Sequence, residues 1–435
     1  MAGLTAAARA SAAGCQVALV EKAQHTGGSA AMSGGVLWQP ASRDLLRAVD
    51  PSGEAELVDV FFDRFPEALA WVRATGVEVG DRTGVLGYGV GQIIDIIGYL
   101  RACERQVRSS GGWVVTGASV DRLVLDGDAV TGAVVTDRDG TYVVEAKSVL
   151  LATGGFQGDP GRRRQYLGSA AETMLLRSNP VSAGDGLRLG LAAGAATSEH
   201  MNGFYGHLMI SPLSALHEAD FVRLSQWYCT HSIVVNLQGE RITDESRGYA
   251  LCAQAAIAQP EPRVAVLFDE RVRSTLAVGS TGVQGLEVVD RLAEAQRVGG
   301  RIAQADTWEA LAQMIGEWGF DGSRSMQTVE TFNLALGSDE VLSPPRDRYR
   351  TALDEGPFFA VEAQPAITFS MGGLRIDKDA RVLRADGQAI DGLLAAGADS
   401  GGTFAHGYGG GLALGSVFGT VAAEHAVRRA GRVSA

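Results

Sequence analysis

Positive charge, cysteine and long apolar runs are all scarce in this chain. The formal net charge of the 435 residues is -12, which argues against nucleic-acid binding, because nucleic-acid-binding proteins present basic surfaces. The four cysteines have no CxxC spacing and no nearby histidine pattern, so the sequence predicts neither a disulfide framework nor a metal site. No apolar run approaches the ~20 residues that a membrane helix needs, and no export signal is evident. We therefore expect a cytoplasmic protein without membrane insertion.

Glycine, by contrast, is abundant and clustered. The chain has 57 glycines and is 46% hydrophobic, enough to bury the cores of the two or three domains that its length suggests. The glycines gather at 27–35, 84–91, 154–158, 184–194, 372–373 and 397–411. Glycine clusters mark backbone that turns sharply or approaches a ligand closely. Several clusters far apart in sequence therefore suggest one long ligand that is contacted by many loops.

The first residues are typical of the second half of a βαβ unit. A helix over 4–13 is followed by a turn and an apolar strand that ends in Glu21, where dinucleotide folds hold a ribose hydroxyl. Residues 1–3 match only the end of the G-x-G-x-x-G motif, so the first strand of such a fold is missing. A misassigned start, a fragment and a variant that binds its nucleotide poorly all remain open.

Further elements follow from the apolar pattern. We expect a helix over 92–108, and then short strands over 113–144 that form an antiparallel meander, because Asp-Gly turns separate alternating runs. From about 202 to 368 aromatic residues become frequent and the apolar periodicity becomes helical, which suggests an inserted domain. A last helix is expected over 412–430.

Four glycine-rich stretches follow one another along the chain: Glu21–Gly35, Leu151–Phe156, Gly184–Leu187 and Met371–Asp377. Together they resemble the signatures of the fumarate reductase/succinate dehydrogenase flavoprotein superfamily, and especially its soluble 3-ketosteroid dehydrogenases, tricarballylate-type dehydrogenases and fumarate reductases. The resemblance implies an α/β fold in which a Rossmann-like FAD-binding domain is interrupted by an α+β capping domain. It places the FAD-binding domain at 1–202 and 369–435 and the capping domain at 203–368.

The resemblance also implies which residues bind FAD without a covalent link. They are Gly3, Glu21, Lys22, Gly27, Gly28, Ser29, Ser33, Gly34, Gly35, Val120, Thr153, Gly154, Asp185, Gly397, Asp399, Gly411, Leu412 and Leu414. The backbone N–H groups of 27–29 would meet the pyrophosphate, and the helix from Leu412 would direct its positive end at the flavin. Covalent attachment is not expected. His25 lies three positions before the place where membrane-bound members of the superfamily carry the histidine that is bonded to the flavin.

Tyr249 and Arg247 are the predicted proton-transfer residues. Residues 241–249 resemble the family segment in which fumarate reductases carry an arginine and ketosteroid dehydrogenases a tyrosine nearby. Because tyrosine stays protonated up to pH ~10, its proton loss needs help from Arg247 or the flavin. A packing role for Tyr249 on a helix of the capping domain remains open.

His207 and Tyr408 are the other two predicted catalytic residues. His207 matches a histidine of the capping domain that touches the carbonyl or carboxylate of the substrate in the family. Tyr408 resembles a tyrosine near the flavin that polarises a ketone. A structural histidine and a tyrosine that only shields the ring are the alternatives.

The substrate expectation depends on two departures from the fumarate reductase pattern. Phe369 and His406 stand where that pattern has a carboxylate-binding histidine and arginine. Loss of a fixed guanidinium removes bidentate recognition of a carboxylate. The sequence therefore favours a small-molecule substrate that is an apolar ketone, oxidised or reduced across the neighbouring carbon–carbon bond, and it indicates no particular electron acceptor. A carboxylate enzyme that uses Arg247 and His207, and a non-catalytic remnant, are the alternatives.

Overall fold

The chain folds into two units that alternate along the sequence. The computed structural model describes residues 1–279, 287–336, 338 and 341–432. Unit 1 comprises Met1–Arg162, Ser178–Gly203 and Phe369–Ala435, and unit 2 comprises Arg163–Arg177 and Phe204–Thr368. The sequence placed 163–177 with the FAD-binding domain, whereas this segment belongs to unit 2. The reason is that Leu175 and Leu176 pair in parallel with Ala366 and Ile367. The local sequence around Leu175 does not predict this pairing with a distant strand.

Helices and strands alternate through the described residues. The helices are α1 (Ala2–Ala12), α2 (Gly28–Ala31), α3 (Arg43–Val49), α4 (Ala55–Ala74), α5 (Ile96–Ser109), α6 (Pro160–Leu167), α7 (Asp185–Ala192), α8 (Tyr249–Ile257), α9 (Glu270–Val272), α10 (Arg291–Arg297), α11 (Trp308–Gly316), α12 (Gly322–Leu336) and α13 (Gly411–Arg429). The strands are β1 (Ala18–Glu21), β2 (Val36–Pro40), β3 (Thr83–Val85), β4 (Gly89–Ile93), β5 (Trp113–Thr116), β6 (Ser119–Asp126), β7 (Ala129–Asp137), β8 (Gly140–Glu145), β9 (Val149–Leu151), β10 (Leu175–Leu176), β11 (Phe204–Ile210), β12 (Ile233–Val235), β13 (Val264–Asp269), β14 (Val278–Gly279), β15 (Val289–Asp290), β16 (Ile302–Ala305), β17 (Phe358–Ser370), β18 (Arg381–Leu383) and β19 (Ala389–Ala395). This mixture confirms the predicted α/β class.

The parallel strands of unit 1 lie in two separate pairs within the described residues. β1 pairs with β5, and β9 pairs with β19, which also pairs antiparallel with β18. The prediction that 113–116 belongs to the antiparallel meander was wrong, because β5 joins β1 in parallel and leaves β6, β7 and β8 as the meander. The predicted helix over 92–108 begins later, at Ile96, because Gly89–Ile93 pairs with β2 and β3 instead.

Helices α1 and α13 of unit 1 pack closely together. A side chain at Gly419 on α13 would place its Cβ 2.6 Å from the carbonyl oxygen of Ala2. Only glycine permits this distance between the two helix backbones. On the other side of α1, Ala7 packs with Val107 of α5 and Val114 of β5. Gly419 thus allows α13 to pack directly against the backbone of α1.

Unit 2 is built around a sheet with β17 as its long strand. β17 pairs antiparallel with β13 and β16, parallel with β10, and also with β11, while β12 pairs with the far side of β13. All six residues of β13 are buried, as expected for an apolar strand with a neighbour on each side. β11 carries Tyr205 and His207, and α8 begins with Tyr249. The sheet thus carries Tyr205 and His207, whereas Tyr249 stands at the start of a helix.

Candidate active site

The connection between β1 and α2 holds the first predicted FAD-binding residues. Gly27 has φ +117 and stands at the start of α2, where no side chain caps the helix. A residue with a side chain would be strained in this conformation. Ser29 Oγ lies 2.8 Å from Ser178 Oγ and also accepts a bond from the backbone N–H of Asn179. Two distant segments of unit 1 therefore meet at this turn.

Lys22 and Asp185, both predicted FAD-binding residues, form an ion pair with each other. The pair joins the end of β1 to the start of α7. Next to it, Glu21 Oε1 accepts a hydrogen bond of 2.8 Å from the backbone N–H of Ala23. This bond holds the Glu21 carboxylate at the end of its strand, which is where a ribose hydroxyl would be recognised.

The turn that follows β9 is bonded to the buried carboxylate of Asp399. Thr153 donates to this carboxylate through its backbone N–H and through Oγ1 at 3.0 Å, and Gly155 N–H donates at 3.2 Å. Burial raises the pKa of Asp399, although these donors oppose the shift. Thr153 Oγ1 in turn accepts from the N–H of Gly186 on α7 at 2.9 Å. Both Asp399 oxygens are engaged by protein, so this side chain holds the turn rather than presenting an unbonded oxygen.

The remaining predicted FAD-binding residues differ in exposure. Ser33 Oγ bonds the carbonyl oxygen of Ala30 at 2.7 Å, Gly34 is exposed, and the Val120 carbonyl oxygen accepts from Arg188 at 3.0 Å. The others in this group are Gly3, Gly28, Gly35, Gly154, Gly397, Leu412 and Leu414, which range from buried to half-buried.

An aromatic cluster of unit 1 surrounds the start of α13. The ring of Tyr408 contacts the edges of Trp38 and Phe369 at centroid distances of 5.3 and 6.1 Å. Its Oη accepts a bond of 3.1 Å from the backbone N–H of Gly411, the first residue of α13. Phe369 and Tyr408, which the sequence singled out separately, therefore lie side by side.

His406 of unit 1 is held by its backbone N–H, which donates to Asp50 at 3.2 Å. Its ring lies 5.6 Å from that of His200. Burial lowers the pKa of His406, and the charge of Asp50 only partly opposes the shift. The imidazole is therefore neutral at pH 7 and cannot replace a permanent cation.

In unit 2 the structure brings together two of the predicted catalytic residues, Tyr249 and His207. Their rings stack with centroids 4.5 Å apart. Tyr205 Oη lies 3.1 Å from Tyr249 Oη and 2.9 Å from His207 Nε2, and Ser225 Oγ contacts His207 Nδ1. Burial, followed by the charge of Arg177, holds the pKa of His207 well below its ordinary value. The group is thus a hydrogen-bonded cluster in which His207 is buried and neutral at pH 7.

The segment 241–249 is fixed by buried ion pairs. Glu245 contacts Arg241 at 2.6 Å and Arg346 at 3.0 Å, and all three side chains are almost fully buried. Arg247 is half-buried, and its side chain makes no ion pair within the described part of the chain. The ion pairs of Glu245 therefore fix the backbone four residues before Tyr249, the first residue of α8.

Comparison with known proteins decides the family of the chain. A family model described as an FAD binding domain matches residues 1–417. The chain belongs to this FAD binding domain family. FAD is therefore its cofactor, as the sequence resemblance implied.

Two relatives of this FAD binding domain protein differ in how much of their length it matches. NADH:fumarate oxidoreductase of Klebsiella pneumoniae (strain 342) is 26% identical over 99% of this chain and 47% of its own length. 3-oxosteroid 1-dehydrogenase of Mycobacterium tuberculosis is 25% identical over 99% of this chain and 97% of its own length. The chain thus spans about half of the first protein and nearly all of the second. These relatives confirm the predicted superfamily.

A solved structure supports the fold of the FAD binding domain protein. The 3-ketosteroid-delta4-(5alpha)-dehydrogenase from Rhodococcus jostii RHA1, in complex with 4-androstene-3,17-dione, superposes with a TM-score of 0.75 at 20% identity, over 98% of this chain and 94% of that chain. In the described residues, every helix is too short or too polar to cross a membrane. No cluster suited to a metal ion occurs in that same part of the chain. The predicted cytoplasmic location stays a prediction.

The donors of unit 1 fit an FAD molecule. Neither Gly27 before α2 nor Gly410 before α13 caps its helix with a side chain, and of the first N–H groups of α13 that of Gly411 already bonds Tyr408 Oη. Uncapped helix starts leave backbone N–H groups for an anion. Gly28 and Ser29 would hold the pyrophosphate, and the start of α13 would face negative charge on the reduced ring.

The sequence missed two members of the cluster around Tyr249. Tyr205 could have been found, because it stands two residues from His207 on β11 and alternate residues of a strand share a face. Ser225 had no such signal, since it is brought to His207 from a separate loop.

Proposed function

We propose that this protein is an FAD-dependent oxidoreductase that acts on a carbon–carbon bond beside the carbonyl group of an apolar ketone. The observation that carries the proposal is the buried cluster in which the Tyr249 hydroxyl bonds Tyr205 at 3.1 Å. A tyrosine held this way can carry a proton to or from the α-carbon. The positive end of α8, which begins at Tyr249, favours negative charge on groups of its first turn.

The ketone oxygen has a suitable donor in Tyr408. Because Gly411 N–H donates to its Oη at 3.1 Å, the Tyr408 hydroxyl becomes a better donor toward a carbonyl oxygen. Such a donor stabilises the negative charge that develops on that oxygen as the α-proton leaves. Bound FAD supplies the hydride chemistry at the β-carbon.

The ketone is favoured over a dicarboxylate by the surroundings of Tyr408. Trp38 and Phe369 contact its ring and offer apolar area. His406, which stands where fumarate reductases carry an arginine, has its pKa lowered by burial. A neutral imidazole does not replace a guanidinium that binds both oxygens of a carboxylate. The 3-oxosteroid dehydrogenase among the relatives agrees with this preference.

The second candidate is an enzyme that reduces or oxidises carboxylates. Arg247 would then carry the proton, and the fumarate oxidoreductase among the relatives favours this alternative. Arg177, whose charge reaches His207, offers a cation on unit 2. His207 is a poor anchor for such a substrate, because both of its ring nitrogens already have protein partners.

Steady-state turnover separates the candidates. We expect the purified flavoprotein to oxidise or reduce 3-oxosteroids such as 4-androstene-3,17-dione, with an artificial electron carrier, in preference to fumarate or tricarballylate. Tyr249→Phe should lower kcat by about 100-fold or more, the usual effect of losing an acid–base group. Tyr142→Phe, an exposed tyrosine on β8, is the control and should match the parent. Activity on carboxylates alone would refute the ketone proposal, and a colourless protein that ignores added FAD would support the remnant.

A further inference from the structure

Four side chains of unit 2 form one hydrogen-bonded chain that ends on Tyr249. Ser225 Oγ contacts His207 Nδ1, His207 Nε2 lies 2.9 Å from Tyr205 Oη, and Tyr205 Oη lies 3.1 Å from Tyr249 Oη. We propose that Tyr205, supported by His207 and Ser225, is a positioning residue that donates a hydrogen bond to the Tyr249 oxygen. This inference rests on the proposed function, because it concerns the group that carries the proton in that reaction.

His207 acts through Tyr205 rather than on the substrate. A neutral imidazole has one donor and one acceptor nitrogen, and Ser225 and Tyr205 already occupy both. One face of the ring is stacked on Tyr249, and the residue is only 7% exposed. The sequence predicted that His207 touches the carbonyl or carboxylate of the substrate, and this geometry assigns it a supporting position instead.

The tautomer of the neutral His207 sets the direction of the chain, because each ring nitrogen has one hydroxyl partner. Burial and the nearby Arg177 hold the pKa of His207 well below its ordinary value, so the ring carries a single N–H at neutral pH. A free neutral histidine side chain prefers the Nε2–H tautomer. In that tautomer Ser225 donates to Nδ1, Nε2–H donates to Tyr205 Oη, and the Tyr205 hydroxyl donates to Tyr249 Oη.

This direction stabilises negative charge on Tyr249. In dehydrogenation Tyr249 reacts as the tyrosinate, after its own proton has left: the α C–H bond of the substrate breaks, the proton goes to the Tyr249 oxygen, and the electron pair stays on the substrate as the enolate. In reduction Tyr249 gives its proton to the α-carbon and keeps the electron pair of the O–H bond. In both directions the anionic form of Tyr249 accepts the hydrogen bond from Tyr205, and bonds to charged groups are the stronger ones. With the opposite tautomer, Tyr249 would have to donate to Tyr205, and its anion would lose this support.

The test compares Tyr205→Phe with Tyr228→Phe in the FAD-loaded enzyme. Tyr228 is a fair control, because it is fully buried in the same unit and its hydroxyl donates to Gln226 Oε1 at 2.6 Å. With a 3-oxosteroid that the parent enzyme turns over, Tyr205→Phe should lower kcat about 10- to 100-fold, as expected for one bond to a charged group. KM should stay within about twofold, because ground-state binding is not touched. Tyr228→Phe should change neither constant.

A spectroscopic measurement makes the test independent of the substrate. In the ¹⁵N spectrum of histidine-labelled enzyme, with His207→Gln used for assignment, His207 should show a protonated Nε2 in the parent. Its signals should shift in Tyr205→Phe and stay unchanged in Tyr228→Phe. A protonated Nδ1 in the parent would overturn the proposal.

The two proposals can fail separately. A Tyr205→Phe enzyme with parental kcat, beside an inactive Tyr249→Phe enzyme, would overturn the role of Tyr205 and leave the proposed function standing. A Tyr249→Phe enzyme with parental activity would instead overturn the proton-carrying role of Tyr249, and the role of Tyr205 with it.

Discussion

At the scale of single residues, burial lowers the pKa of three histidines that the structure encloses, His207, His231 and His406. His231 lies against Tyr349 with ring centroids 3.9 Å apart. Burial, reinforced by the charges of Arg346, Arg271 and Arg348, lowers the pKa of His231 to about 4. In the unfolded chain the same group titrates near its usual value of about 6.5. The difference links the stability of unit 2 to pH.

We predict that His231→Gln makes the protein less sensitive to acid. Between pH 6.5 and 4 the unfolded chain binds a proton at His231 that the folded chain does not, so stability is full above this range and falls as the pH falls through it. The slope is at most about 1.4 kcal/mol per pH unit for one proton. The melting temperatures at pH 7 and pH 5 should therefore differ less in His231→Gln than in the parent. An equal or larger difference would contradict the assignment.

At the scale of elements, the position of helix α13 depends on its contact with α1. Gly419 leaves no room for a side chain, because its Cβ would lie 2.6 Å from the Ala2 carbonyl oxygen. The same helix begins beside Tyr408 at Gly411. A shift of α13 would therefore move the N–H groups that are suited to the flavin.

We predict that Gly419→Ala destabilises the protein, although alanine is the better helix former. Overpacking costs about 1–3 kcal/mol, which exceeds the gain of up to about 1 kcal/mol from helix propensity. Gly316→Ala is the control, since Gly316 ends α11 and a Cβ there would meet nothing within 4 Å. Thermal unfolding should show a lower midpoint for Gly419→Ala and an unchanged or higher one for Gly316→Ala. A Gly419→Ala protein that melts with the parent would refute the close contact.

At the scale of the whole molecule, the property that can be tested most directly is the attachment of FAD. The sequence predicts a non-covalent cofactor, and in the structure His25 is exposed on the connection between β1 and α2. A cofactor that binds only the folded state stabilises it by mass action.

We predict that acid precipitation of the purified yellow protein releases its FAD into the supernatant. Added FAD should also raise the melting temperature of protein from which the cofactor has been removed, because only the folded chain binds it. Flavin fluorescence that stays with the precipitated protein would show a covalent link.

The amino-acid sequence alone predicted the cofactor and the α/β class, both of which are confirmed, and it contains the glycine-rich stretches in their order along the chain. These features are local: a strand that ends in Glu21, a glycine turn and a helix start lie within a few residues of one another. Local chemistry of this kind can be read directly, because glycine and strand patterns depend on neighbours in the chain.

Only the tertiary structure decided which distant residues meet. It paired Lys22 with Asp185, placed Ser225 on His207, and joined Trp113–Thr116 to β1 rather than to the meander. Apolar periodicity shows which face of an element is buried, but many partners could bury that face equally well. The choice among them depends on the packing of the whole unit, and the hydrogen-bonded surroundings of Tyr249 follow from that choice.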